Sequence, residues 1–120
     1  MNIRALAADL EMGEDEFLEL VELFLDASVS DLEKLKNAVN RREMKEIVES
    51  AHSIKGAAAN LGMKELSETA KRIEMNARED RLDGAASALR MIRESLDRIA
   101  QSLDEQNPKF KAQSSKGKTI

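Results

Sequence analysis

From Glu14 to Val39 the side chains Phe17, Val21, Phe24, Ser28, Leu32, Leu35 and Val39 recur at steps of three and four, and no proline interrupts them. A repeat of that period over about seven turns fits one face of a helix and no strand, whose side chains alternate at every second residue. Acids crowd its start (Glu14, Asp15, Glu16) and bases its end (Lys34, Lys36, Arg41, Arg42), as the helix dipole favours. Leu18, Leu23, Leu25 and Val29 widen the apolar surface beyond one stripe. This helix is therefore expected to touch more than one neighbour or to leave an apolar area open.

The same period returns along the rest of the chain. Met44, Ile47, Ala51, Ile54, Ala58 and Leu61 predict a helix over about Glu43–Leu61, which Gly62 ends as a left-handed cap. Leu66, Ala70, Ile73 and Ala77 predict another from Met63 to about Glu79, with a charged turn over Arg78–Asp83. Ala86, Leu89, Ile92, Leu96, Ile99 and Leu103 predict the last, over about Asp83–Leu103. A shorter segment, Ile3 to about Glu11, sets Leu6, Ala7 and Leu10 on one side before Gly13 breaks it. Four long amphipathic helices with short turns predict an all-α fold, an antiparallel up-and-down four-helix bundle with a short N-terminal accessory helix. Residues 1–105 are expected to form that domain. Residues 106–120, with Lys109, Lys111, Lys116, Lys118 and no acid, are expected to be a disordered basic tail.

Composition removes several function classes. Only 2% of the 120 residues are aromatic, so the core is built from Leu, Ile, Val, Ala and Met, which suits helices better than stacked sheets. Without cysteine there is no disulfide and no thiolate metal site. Setting the tail's four lysines aside leaves 15 bases against 23 acids, about −8, which opposes general nucleic-acid binding. No run of about 18 apolar residues is present to span a bilayer, and Met1–Leu10, containing Arg4 and Asp9, lacks the pattern of a signal peptide. A cytoplasmic monomer with no membrane contact is expected. Neither a GxGxxG nor a GxxxxGK(S/T) loop offers a nucleotide cradle. A single histidine disfavours a zinc site and a two-metal carboxylate bundle alike.

That single histidine lies beside its helix's apolar stripe, on a second face shared with Lys45, Glu49, Lys55, Gly56 and Ala59. Lys55 follows His52 by three residues and Gly56 by four, so both are its neighbours. A glycine inside an exposed helical turn costs about 1 kcal/mol relative to alanine, and a bundle has no need of one there. Small side chains at Gly56 and Ala59 let another protein's surface approach the ring. Ala59, Ser53 and Glu49 are assigned to the docking rim, although solvation alone accounts for Glu49 and a bond back to the helix backbone for Ser53. Histidine can form covalent intermediates, and a neutral imidazole keeps one ring nitrogen free to attack phosphorus. A phosphoryl group, carrying about −1.5 to −2 charge, is the natural match for a lysine placed beside it.

The run Ala51-His52-Ser53-Ile54-Lys55-Gly56, with Gly62 six residues beyond Gly56, resembles the signature of histidine-containing phosphotransfer (HPt) domains of bacterial multistep phosphorelays. The resemblance covers about residues 4–103, including the acidic Phe17–Val39 helix, the Ala59-Asn60-Leu61-Gly62 exit and the Ile73-Glu74 pair. It implies a phosphoryl carrier with no ATP site of its own. An aspartyl phosphate on a response-regulator receiver domain would give its phosphoryl group to His52, at Nε2, and a second receiver aspartate would take it. Lys55 would steady the phosphoryl oxygens and Gly56 would leave room for the receiver. Mg²⁺ would belong to the receiver, and this chain would hold no metal or cofactor. A sensor histidine kinase is the other class of partner implied.

Two alternatives stand beside that expectation. One is the phosphoacceptor domain of a chemotaxis-type histidine kinase; the other is a non-catalytic helical adaptor in which His52 is incidental. Homodimerisation through the apolar Leu18–Val29 face is compatible with any of them.

Overall fold

The structure, a computed structural model, describes residues 2–106. Among these residues it is all-helical: α1 (Ile3–Asp9), α2 (Glu14–Arg41), α3 (Met44–Asn60), α4 (Lys64–Arg78) and α5 (Ala85–Gln106). None of these helices is long and apolar enough to cross a membrane. The expected tail falls outside the described residues, apart from Gln106, which closes α5.

Each apolar stripe becomes core. Phe17, Val21, Phe24, Ser28, Leu32 and Leu35 of α2 are buried, as are Ile47, Ala51, Ile54 and Ala58 of α3, and Leu66, Ala70, Ile73 and Ala77 of α4. Helix α3 packs on α2 and α4, α5 packs on the same two, and α1 leans on α2. The four long helices thus close a ring around one hydrophobic cluster. Because α2 touches three elements, Leu18 and Leu25 are buried as well, whereas Leu20, Leu23 and Val29 stay exposed.

Three register details depart from expectation. In α1 the buried residues are Ile3 and Ala7, and Leu10 is exposed; the helix is too short to bury both ends of one stripe. In α2 Ala38 is buried and Val39 only half-buried. In α5 Ala85 and Ala88 face the core and Ala86 faces out. No large side chain marks the face in that first turn, so periodicity alone could not decide between neighbouring alanines.

The α3–α4 link sets the site. Gly62 has φ +76°, its N–H donates to the Ala59 carbonyl at 3.0 Å, and the Met63 N–H donates to that of Ala58 at 2.9 Å. This paired arrangement ends a helix on a left-handed residue, which glycine adopts without strain. The chain reverses within three residues, and α4 returns along α3.

Ser28 is the one stripe residue with a polar atom. Its hydroxyl is fully buried and has no hydrogen-bond partner. An unsatisfied buried hydroxyl costs about 1–3 kcal/mol, and alanine is the better helix former. Ser28→Ala should therefore raise the free energy of unfolding by about 1 kcal/mol in urea titration, and a loss of stability would show that the hydroxyl is bonded after all.

Candidate functional site

His52 stands on α3 with its side chain 62% exposed, while the helix buries Ala51 and Ile54 on either side of it. Its Nδ1 lies 3.1 Å from Oε2 of Glu74, a residue 22 positions away on α4, with Met63 midway between them. The tight turn at Gly62 is what brings the two to one level. Glu74 is nearly fully buried, its side chain only 3% exposed, yet it is charged.

Three groups keep it so. Lys55 Nζ sits 2.8 Å from Oε1; Arg78, four residues along α4, places Nη2 2.7 Å and Nε 3.3 Å from Oε2; and the imidazole completes the set. Burial pushes the Glu74 carboxyl up, but the Lys55 ammonium ion-paired with it and the hydrogen bonds from Arg78 and His52 outweigh it and lower the pKa to about 2. An ionised carboxylate only accepts hydrogen bonds, so the proton of this contact belongs to Nδ1. In the neutral ring the lone pair is then left on Nε2.

Around the ring the surface is low. A Cβ built on Gly56 would have nothing within 4 Å, so packing inside the protein gives no reason for a glycine there. Ala59 is exposed, and so is Glu49; the ring's hydrogen-bond partner is Glu74 rather than Glu49. Ser53 does not bond back to its own helix: its hydroxyl donates to Asp31 Oδ2 on α2 at 2.6 Å, tying the histidine helix to the acidic one. On the other side Ser67 of α4 donates to the Lys55 carbonyl at 3.0 Å. The structure keeps His52, Lys55 and Gly56 on one helix, α3, and turns Ser53 toward Asp31 of α2 rather than toward Glu74. It also adds Glu74 and Arg78, which had been given no role.

A family model for the Hpt domain matches residues 19–102. The chain belongs to the Hpt domain family. Histidine phosphotransfer within a two-component phosphorelay is accordingly its function, and carriers of this family have no kinase site of their own. The crystal structure of histidine-containing phosphotransfer protein B from Pseudomonas aeruginosa PAO1 matches this Hpt chain with a TM-score of 0.78, covering 92% of this chain and 96% of that one at 24% identity. At that identity the likeness shows the shared fold. No curated protein matches the chain. Neither the chemotaxis-type alternative nor the adaptor is favoured by the family match.

Proposed function

We propose that His52 is the residue through which this Hpt domain relays a phosphoryl group between receiver aspartates. The observation that carries the reading is an exposed imidazole whose Nδ1 is held by a buried, ionised Glu74. The Nε2 lone pair attacks the phosphorus of an aspartyl phosphate; the N–P bond forms, the P–O bond to the aspartate breaks, and the carboxylate leaves with that electron pair. The ring, still protonated at Nδ1, becomes positively charged, and Glu74 Oε2 stabilises that charge as it develops. The reverse step on a second receiver regenerates the neutral ring. Mg²⁺ belongs to the receiver in this account.

Lys55 meets the phosphoryl oxygens, and Gly56 with Ala59, Ser53 and Glu49 forms the surface on which the receiver sits. We read the ring of helices as an antiparallel up-and-down four-helix bundle, supported by links too short for crossovers, with residues 1–105 as the domain and 106–120 as a tail. The protein acts as a monomer in the cytoplasm, without ATP, nucleic acid or membrane.

The test is incubation with a receiver domain phosphorylated by acetyl phosphate in Mg²⁺, followed by mass analysis and acid treatment. One acid-labile phosphoryl group should appear. Gly56 supplies a sharper check, since stability and transfer should move in opposite directions. The Cβ of Gly56→Leu meets nothing within 4 Å, so the substitution should stabilise the helix by about 0.5–1 kcal/mol in thermal melts. The same change should slow transfer at least about tenfold by obstructing the partner. Faster or unchanged transfer would remove Gly56 from the docking surface.

A further inference from the structure

One buried carboxylate here serves two cations and an imidazole N–H, and it divides them unequally. Arg78 brings Nη2 and Nε to Oε2, the same oxygen that holds His52 Nδ1, whereas Lys55 alone occupies Oε1. Arg78 extends from Glu74's own helix, so its contact is independent of α3; Lys55 reaches across from the helix that carries the histidine. An i,i+4 ion pair on a helix surface is ordinarily a minor stabiliser. This pair differs because the acid is 3% exposed and the base 53% exposed, so the guanidinium covers a buried charge.

We propose that Arg78 is a positioning residue for phosphoryl transfer: by holding Oε2 of Glu74 it frees Lys55 to leave Oε1 and meet the phosphoryl group on His52. This rests on the reading of His52 as phosphoacceptor. Lys55 lies one helical turn from His52, and a phosphoryl group on Nε2 sets anionic oxygens in competition with Glu74 for its ammonium. If Lys55 were the only cation on that carboxylate, its departure would leave a buried charge uncompensated, which is strongly unfavourable. With Arg78 on the other oxygen, the carboxylate keeps a cation and the ring keeps its Nδ1 acceptor throughout the exchange. The chemistry of the two bases suits the division, since a guanidinium is a rigid fork and a lysine ammonium is a mobile point charge on a flexible stem. Glu74, Lys55 and Arg78 sum to one surplus positive charge, and that surplus is what the incoming phosphoryl group meets.

Transfer from a receiver domain phosphorylated by acetyl phosphate in Mg²⁺ would be followed to receiver saturation for the wild type, R78Q, R78K, K55A and H52Q, with thermal melts alongside. R78Q should lower the saturating rate about tenfold, about as far as K55A does, with the half-saturating receiver concentration unchanged. R78K should recover most of the rate, and this comparison carries the test if R78Q proves poorly folded. Wild-type rates in R78Q beside a slow K55A, or an R78K that melts like the wild type yet transfers as slowly as K55A, would overturn the inference while leaving His52 as phosphoacceptor. Wild-type transfer by K55A would overturn it too, because there would be no lysine to release. Phosphorylation of H52Q would instead overturn the reading beneath it.

Discussion

Replacing His52 by glutamine is expected to abolish acid-labile phosphorylation completely while leaving the fold intact. The substitution removes the only imidazole in the chain, and no cysteine can substitute as nucleophile. Glutamine retains an N–H donor that can reach toward Glu74, and the ring it replaces is 62% exposed, so little core packing is lost. The free energy of unfolding in urea titration should stay within about 0.5 kcal/mol of the wild type. Retained phosphorylation in H52Q, measured by intact mass before and after acid treatment, would place the acceptor elsewhere.

Loss of the Glu74 carboxylate should damage both stability and transfer. Glu74→Ala empties a buried position and deprives Lys55, Arg78 and His52 of their shared partner. A cost of about 2–4 kcal/mol is expected, moderated because both bases can turn to water. Glu74→Gln keeps the shape and an acceptor for Nδ1 but loses the charge that stabilises the phosphorylated ring, so its transfer should slow more than its stability falls. The pH dependence has a definite sign. The folded carboxyl titrates at about 2, below its ordinary value of 4.5, so its contribution is fully present above about pH 4.5. That contribution is lost as pH falls from about 4.5 to about 2, and amounts to at most about 3 kcal/mol. Urea titrations from pH 6 to pH 2 should show this decline in the wild type and a shallower one in Glu74→Gln; parallel curves would mean that Glu74 is not held ionised by its neighbours.

What could be read from the chain follows from which physical signals are local. The α2 helix, the Gly62 cap and the α3 helix that carries His52, Lys55 and Gly56 rest on periodicity and backbone conformation within a few turns, and they form where expected, with Val39 at the end of the α2 stripe the one departure among them. The register of α5 was lost where three alanines give no contrast between faces. Glu74 was harder for a different reason. Charged residues are rarely buried, so an acid beside Ile73 on the inward side of α4 reads as solvated until its partners are known. Two signals do point to it: Arg78 follows it by four residues, and Met63, beside the predicted Gly62 cap, lies midway between Glu74 and His52. Neither is decisive without the turn geometry that brings α4 back along α3.

The most direct test of the account is to find which ring nitrogen carries the phosphoryl group. Nitrogen-15 and phosphorus-31 NMR of the ¹⁵N-histidine protein, phosphorylated through a receiver, should place phosphorus on Nε2 of His52, with Nδ1 protonated against Glu74. Phosphorus on Nδ1 would contradict the account, since that nitrogen is the one Glu74 holds.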